Sequence, residues 1–249
     1  MQGDSALGRA LVLVRDLRAR CPWDRAQTRA TLAPYLIEEA LELDHALRDV
    51  EPPPALRDEL GDLLLHLAFQ IVIGEERAEF DAESVTRALE EKMHHRHPHL
   101  YGLGDKPASW ERAKRELEPE RTNTLGGLPP ALPPLLRAYR LQERAAGIGF
   151  DWPDATGPLA KVKEETAELE RAVEAGDAAA QADELGDLLF TVVNLARKLG
   201  VDPRSALDAA NAKFTRRFGD LEALAKTRGI DVGRAGLDAL DRLWDEVKP

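Results

Sequence analysis

The sequence has little cysteine, few aromatic residues and no long hydrophobic run. A single cysteine, Cys21, among 249 residues excludes a framework of internal disulfides. No apolar stretch approaches the roughly 20 residues that a membrane-spanning helix needs, and the first residues do not have the charge pattern of a signal peptide. Hydrophobic residues make up 43% and charged residues 32% of the chain, which is typical of a globular protein. We therefore expect a cytoplasmic protein with no membrane partner.

Positive charge is also scarce. The chain has 34 Lys and Arg against 45 Asp and Glu, which gives a formal net charge of −11. Proteins that bind the nucleic-acid backbone need a basic surface. We therefore expect no nucleic-acid polymer among the partners, although a small phosphate ligand held through a cation stays compatible with this charge.

The alternating β-branched and aromatic residues of half-buried strands are absent too. Ala, Leu, Glu and Arg dominate, and these residues favour helices. The apolar residues from Leu32 to Leu47 recur at the spacing of one helix face. The sequence therefore predicts an all-α fold.

One heptamer, DELGDLL, occurs twice, at residues 58–64 and 183–189. Other matching residues flank both copies in the same order, which indicates two copies of one structural unit. We expect an antiparallel helix-hairpin bundle in residues 1–118 and a second in residues 134–249. Residues 119–133, rich in proline and glycine, would be the linker.

Each unit carries the pattern E-E-x-x-E on one helix and E-x-x-D on the next. Acids three residues apart share a helix face, and both pairs lie equally far from the predicted turn, near Val50-Glu51 and at Gly176. An antiparallel hairpin would therefore bring the carboxylates face to face. The predicted clusters are Glu39, Glu42, Glu59 and Asp62 in the first unit, and Glu165, Glu168, Glu184 and Asp187 in the second.

Carboxylates crowded in a partly buried place cost several kcal/mol each unless a positive charge offsets them. The apolar residues that follow Asp62 and Asp187 predict helices buried on nearly all sides, with Gly61 and Gly186 allowing another backbone to approach. An all-oxygen ligand set favours Mg²⁺, with Mn²⁺ as a substitute. The alternative interpretation of a single acidic motif is a solvated acidic face. That interpretation poorly explains two copies in the same order.

Cationic residues repeat after the acids. Lys92 and Arg96 are four residues apart, as are Lys213 and Arg217, so each pair lies on one helix face. Such pairs either bind phosphate groups or are ordinary exposed surface residues. Trp244 has two comparable interpretations, stacking on a base or packing in the core.

Several motifs together resemble the MazG family of nucleoside triphosphate pyrophosphohydrolases in its two-domain form, across nearly the whole chain. Besides the acidic patterns they are CPWDRAQT, HRHPH at 95–99, GFDW at 149–152, DLLFTVVNLARKLG at 187–200 and NAKFTRRF at 211–218. The resemblance implies an all-α homodimer and Mg²⁺-dependent hydrolysis of nucleoside triphosphate to monophosphate and pyrophosphate, with attack at the α-phosphorus.

The resemblance also implies roles for individual residues. The four acids of each cluster would bind metal, and Glu164, with Glu38 in the first unit, would activate water or support the ligands. The nucleotide-binding residues would be Lys213, Arg217, Trp244, Asn194 and Asn211, with Lys92 and Arg96 in the first unit.

The two units have diverged. Phe69 takes the place of Asn194, and Glu90 that of Asn211. Because these changes remove amides and add an acid, we expect most turnover in the C-terminal unit. The N-terminal unit would hydrolyse weakly, bind a regulator or be structural.

Other interpretations remain open at this point. Within the enzyme class they are a narrow dUTP or phosphoribosyl-ATP pyrophosphohydrolase. Outside it they are a non-catalytic metal- or nucleotide-binding regulatory protein and a di-iron carboxylate bundle, which wants Glu-x-x-His. The histidines of residues 94–99 suggest zinc, but a partly exposed helix end explains them better because the second unit lacks them.

Overall fold

The computed structural model describes residues 5–48, 53–106 and 123–248. Within these ranges the regular structure is helical and no strand occurs, so the all-α prediction is confirmed. The chain divides into two compact units, Met1–Ala108 and Ser109–Pro249. Within the described residues no helix is long and apolar enough to cross a membrane.

The described residues of the first unit form five α-helices and a short 3₁₀ turn, Pro98–Leu100. Helices α3 and α4 form the predicted hairpin, and α1 packs against α4. The helices are α1 (Ala6–Arg20), α2 (Pro22–Ala26), α3 (Arg29–Arg48), α4 (Pro53–Glu76) and α5 (Ala82–Arg96).

The second unit repeats the hairpin with α7 and α8, and α6 packs against α8. Helices α9 and α10 also pack against each other. The described helices are α6 (Pro134–Ala146), α7 (Thr156–Ala175), α8 (Ala178–Lys198), α9 (Pro203–Thr227) and α10 (Leu237–Glu246).

Local sequence explains where these helices begin and end. Asp81 and Asp202 cap α5 and α9 as predicted, because each carboxylate accepts hydrogen bonds from backbone N–H groups of the first turn. Asp177 does the same for α8. Gly176 ends α7 at φ +68°, a left-handed conformation that favours glycine, so the predicted turn of the second hairpin is confirmed.

Some predictions fall outside the described residues. They concern the first turn at Val50-Glu51 and residues 119–122 at the start of the predicted linker, so the predicted boundaries of that linker stay a prediction. Its described end packs on the second unit, since the buried Arg144 guanidinium donates hydrogen bonds to the backbone oxygens of Leu125 and Gly126.

A hydrophobic cluster holds the first unit together. It joins residues of α1, α3 and α4, each less than 5% exposed: Val14, Leu32, Ala68, Phe69, Val72 and Ile73. Arg15 and Arg18 add ion pairs from α1 to Glu75 and Glu76 at the end of α4. Helix α1 therefore seals one side of the hairpin.

The predicted burial of the second helix of each hairpin is only partly correct. Helix α8 buries Thr191 and Val193, but Leu185, Leu189 and Val192 are about half exposed. No atom from outside the helix lies within 4 Å of a Cβ built at Gly61 or Gly186, so no other backbone approaches them within the described chain, and the expected approach stays a prediction. The apolar stripe of α8 has too few helices around it to be covered.

We expect Leu32→Ala to lower the free energy of unfolding of the first unit by about 2–5 kcal/mol, because it opens a cavity in this cluster. The measurement is denaturant unfolding followed by circular dichroism. Leu103→Ala, at a side chain that is 65% exposed, is the control and should change stability by less than about 0.5 kcal/mol. Equal effects of both substitutions would contradict the assigned core.

Candidate metal and nucleotide site

The hairpin of α7 and α8 brings three acidic side chains together. Carboxylate oxygens of Glu165, Glu184 and Asp187 all lie within 4.8 Å of one another. Glu184 and Asp187 are one helix turn apart on α8 and face Glu165 on α7, as the sequence predicts. Three oxygen ligands at this separation can share one hard divalent cation.

Lys161 supplies positive charge at this cluster. Its ammonium lies 2.7 Å from Glu165 and 2.9 Å from Glu164, one helix turn further along α7. Glu165 is buried, so its charge needs such a partner. The Glu165 carboxylate, and then that of Glu164, raises the pKa of Lys161, which therefore stays charged.

The cluster is crowded with negative charge. Desolvation, and then the charges of Glu168, Glu165, Asp183 and Asp187, raises the pKa of Glu184. Glu168 is thus close enough to act on Glu184, but it lies outside the three-residue group and accepts a hydrogen bond from Arg171. Its role as a fourth ligand stays a prediction.

A cavity of about 770 Å³ lies beside this cluster and reaches Glu165 and Asp187. Phe150, Trp152 and Phe190 give it an aromatic lining. Polar residues complete the wall: Gln142, Asp151, Lys161, Thr191, Asn194 and Arg197. A mostly apolar cavity of this size with a few polar groups is the usual form of a small-molecule site.

Asp151 binds the loop of residues 149–152, which we call the aromatic loop, to α8. The Arg197 guanidinium and the Lys198 ammonium both bind its carboxylate, and Lys198 also donates to the backbone oxygen of Trp152 at 2.5 Å. Hydrogen bonding to Arg197 is the main cause that lowers the pKa of Asp151 to about 2. The Trp152 ring lies against Gly157, where a Cβ would meet it at 2.2 Å.

The amide side chains of Gln142 and Asn194 line part of the cavity. Gln142 donates from Nε2 to the backbone oxygen of Phe190 at 2.8 Å, and its Oε1 has no hydrogen-bond partner among the described residues. Asn194 accepts a hydrogen bond from Arg197 at 2.8 Å. Asn194 is the predicted nucleotide-binding residue that the structure places on this cavity.

The first unit has a matching acidic group. Carboxylate oxygens of Glu39, Glu42 and Glu59 lie within 4.8 Å of one another. Desolvation, and then the charges of Asp62, Glu42, Glu59 and Glu38, raises the pKa of Glu39. Asp62 and Glu38 are therefore nearby, although neither belongs to the three-residue group.

The first unit fills the place of the cavity with its own core. Aligning the DELGDLL copies puts Phe69 at the position of Asn194 and Val72 at that of Arg197. Both belong to the buried cluster, with 3% and 2% exposure. Aligning Glu39 with Glu165 puts Tyr35 in place of Lys161. The two units therefore share the acids but not their surroundings.

The predicted cationic residues do not line the cavity. Lys213 and Asn211 are exposed on α9 and Arg217 is half-buried, while Lys92 and Arg96 lie on α5. Within the described chain α9 packs on α10 and also contacts α6 and α8. Contact of these five residues with nucleotide stays a prediction.

Trp244 packs in the small core between α9 and α10. Its ring centre lies 5.4 Å from that of Phe214, beside Leu221, Ala225 and Leu243. The packing interpretation of Trp244 is thus observed, and a contact with nucleotide stays a prediction.

The histidines of residues 94–99 form no metal cluster in the part of the chain described. His94 packs on Tyr101 with ring centres 4.0 Å apart, and the ring of His97 lies 3.0 Å from the backbone oxygen of Met93. Helix α5 ends at Arg96, so these rings belong to a helix end, as the alternative interpretation held.

Sequence reasoning missed Lys161 and most of the cavity wall. Lys161 precedes Glu165 by four residues, a spacing that signals an ion pair on a helix. The aromatic loop is the motif GFDW, to which sequence reasoning assigned no role. Gln142, Thr191 and Arg197 had no local signal, because only the packing of α6 on α8 brings them together.

The MazG nucleotide pyrophosphohydrolase domain matches this chain in two regions, residues 27–101 and 156–220. Each region contains one acidic hairpin and falls within one compact unit. The chain therefore belongs to the MazG family.

Similar proteins include one from Thermotoga maritima named nucleoside triphosphate pyrophosphohydrolase/pyrophosphatase MazG. It is 42% identical over 233 residues, covering 92% of this chain and 89% of the relative. An Escherichia coli K12 protein named nucleoside triphosphate pyrophosphohydrolase is 38% identical over 245 residues, covering 94% and 93%. A Mycobacterium tuberculosis protein of the same name is 34% identical over 148 residues, covering 57% and 45%.

We expect Mg²⁺ to raise the melting temperature at pH 7 and to raise it less as the pH falls toward 4.5. The raised pKa values of Glu39 and Glu184 mean that protons stabilise these clusters below the ordinary pKa of 4.5, and this contribution is lost as the pH rises through the raised values. Metal requires the deprotonated carboxylates, so it replaces the protons at higher pH. Thermal denaturation with excess Mg²⁺ or EDTA tests this, and a shift that does not depend on pH would contradict it.

Proposed function

We propose that this protein hydrolyses nucleoside triphosphates to nucleoside monophosphate and pyrophosphate in its C-terminal unit, with Mg²⁺ as cofactor and Mn²⁺ as a substitute. The observation that carries this proposal is the cavity that reaches Glu165 and Asp187 beside three clustered carboxylates. The names of the relatives support it.

The donor set fits a hard divalent cation. Glu165, Glu184 and Asp187 offer only oxygen, and desolvation together with the neighbouring acids already raises the pKa of Glu184. When bound, Mg²⁺ would supply electrophilic stabilisation of phosphate charge and lower the pKa of a bound water. Glu168 would complete the ligand set from one helix turn along α7.

The chain's own residues would orient substrate and move a proton. Lys161 would turn from its carboxylate partners toward a phosphate oxygen, because a triphosphate brings more negative charge than Glu164 provides. Glu164, once released from Lys161, is an exposed carboxylate able to accept a proton from the attacking water. Attack at the α-phosphorus would release pyrophosphate.

The cavity would hold the nucleoside. Phe150, Trp152 and Phe190 offer aromatic surface for a base, and base stacking on such side chains is worth about 1–3 kcal/mol. The nucleoside would then extend away from the carboxylates along α8 toward Asn194. This arrangement would bring the α-phosphate, the phosphate next to the nucleoside, nearest the boundary between the cavity and the acidic cluster.

The N-terminal unit would contribute little turnover. It has the acidic group but has Tyr35 in place of the lysine, and Phe69 and Val72 fill the space of the nucleoside. This structural difference supports the asymmetry that the sequence predicts.

We also propose that the protein is a homodimer. Leu185, Leu189 and Val192 form an exposed apolar stripe on α8, next to the acidic cluster. A second copy covering this stripe would bring further residues near the site, and the exposed α9 with Lys213 and Arg217 is available for that purpose.

Glu184→Gln should lower kcat for ATP hydrolysis by at least about 100-fold, because it removes one of the carboxylates that would bind the cation. The matched control is Glu59→Gln, the same position in the N-terminal unit, which should change kcat by less than about threefold. Pyrophosphate release in Mg²⁺ is the measurement. Equal losses in the two variants would contradict the assignment to the C-terminal unit.

Asp151→Asn should raise KM for ATP about tenfold while kcat changes little, because it releases the aromatic loop but leaves the carboxylates in place. With its pKa lowered to about 2, the carboxylate's contribution is complete above its ordinary pKa of 3.8 and is lost only as the pH falls through about 2.

Steady-state kinetics at neutral pH tests this role of Asp151. The control is Asp154→Asn on the same loop, whose carboxylate instead accepts hydrogen bonds from Thr156, the first residue of α7. A loss of kcat with unchanged KM in Asp151→Asn would show that the loop does not serve nucleotide binding.

A further inference from the structure

The described end of the linker forms part of the cavity wall in the C-terminal unit. Leu125 lines the cavity together with Leu141, Gln142 and Ala145 of α6. Among the described lining residues it is the one that precedes α6 in the chain. Its side chain is 45% exposed, so Leu125 belongs to the surface of the cavity rather than to the hydrophobic core.

This part of the linker, residues 123–130, is called the strap. It begins with a tight turn, in which the N–H of Gly126 donates to the backbone oxygen of Asn123 at 3.3 Å. Gly127 follows at φ +75°, a left-handed conformation that favours glycine. Two prolines, at positions 129 and 130, then restrict the backbone further. The strap therefore has less conformational freedom to lose than an ordinary linker.

Two arginines of α6 hold the strap by its backbone. The Arg144 guanidinium donates to the backbone oxygens of Leu125 at 3.2 Å and Gly126 at 2.5 Å. Arg137 lies seven residues earlier, close to two helix turns and thus on the same face, and donates to the backbone oxygen of Pro130 at 3.3 Å. The strap therefore follows α6 in the opposite chain direction, and Arg144 holds the end that carries Leu125.

Burial makes the bonds of Arg144 strong ones. Its side chain is only 2% exposed, and a buried guanidinium needs acceptors for its donor groups. Hydrogen bonds from a charged donor are about twice as strong as those between neutral groups. Because these bonds hold the backbone of the strap, the side chain of Leu125 stays partly exposed beside the cavity.

We propose that Leu125 contacts the nucleoside of the substrate and that Arg144 is a positioning residue that keeps it there. This inference rests on the proposed function and extends its substrate site to the linker. A nucleoside beside Phe150, Trp152 and Phe190 covers the exposed part of Leu125, and this burial of apolar surface favours binding. The contact is to the nucleoside rather than to the triphosphate, because the leucine side chain offers neither charge nor a hydrogen-bond donor.

The first test is steady-state ATP hydrolysis by the full chain. Leu125→Ala should raise KM at least about fivefold and change kcat less than about twofold, because the contact is made equally in the ground state and the transition state. The matched control is Leu237→Ala at the start of α10, whose side chain is 73% exposed and outside the cavity. An unchanged KM in Leu125→Ala, where the wild type hydrolyses ATP, would overturn the inference and leave the proposed function intact.

The positioning role of Arg144 has its own test. Arg144→Lys keeps the charge but loses the planar fork of donors, so it should also raise KM with little change in kcat. Combined with Leu125→Ala it should raise KM no further than the larger single effect, because both changes remove the same contact. Multiplication of the two effects would show that Arg144 does not act through Leu125 and would overturn its assigned role.

A second experiment needs no turnover. Leu125→Cys in a Cys21→Ser background leaves one thiol for alkylation by iodoacetamide, since Cys21 is the only cysteine of the chain. α,β-Methylene-ATP with Mg²⁺, at a concentration that saturates binding in calorimetry, should slow alkylation at least about fivefold. Leu237→Cys in the same background is the control and should change less than about twofold.

The two experiments separate the inference from the proposed function. Hydrolysis by the wild type without protection of the thiol at position 125 would overturn the inference alone. Protection without hydrolysis would support the inference and overturn the proposed reaction. No bound nucleotide in calorimetry would overturn the inference.

Discussion

Crowded carboxylates between two antiparallel helices are the constraint on which the other features of each unit depend. Acids at these positions repel one another and resist burial, as the raised pKa values of Glu39 and Glu184 show. Something positive must offset them. In the C-terminal unit Lys161 does so in part and leaves room for a cation. In the N-terminal unit Tyr35 takes the place of that lysine. The same hairpin therefore lacks this ion pair in one of its two copies.

The two units differ more in the residues around the acids than in the acids themselves. A polar wall of Gln142, Asn194 and Arg197 keeps a cavity open beside the C-terminal cluster. In the N-terminal unit Phe69 and Val72 convert that wall into hydrophobic core. Core packing stabilises the unit, but it also removes the space that a nucleoside would need. The C-terminal unit therefore has a cavity beside its acids, whereas the N-terminal unit has hydrophobic core at the equivalent positions.

Periodic patterns were enough to predict the helices, the repeat and the acidic groups. Glu39 and Glu59 lie at similar distances in sequence from the predicted turn. Antiparallel pairing of the two helices therefore brings them opposite each other. The cavity was not predictable in this way. Gln142 and Arg197 belong to different helices, and Asp151 lies in a loop between them, so their meeting depends on tertiary packing. The exposure of α8 was also missed, since an apolar pattern does not say whether its partner is the same chain.

The proposed reaction is hydrolysis at the α-phosphorus, next to the cavity. ATP hydrolysis in ¹⁸O-labelled water with Mg²⁺, followed by mass spectrometry of the products, tests it. We expect AMP that carries one ¹⁸O atom, together with unlabelled pyrophosphate, and no turnover in EDTA. Label in pyrophosphate, or ADP and phosphate as products, would show attack at another phosphorus and would rule out this reaction.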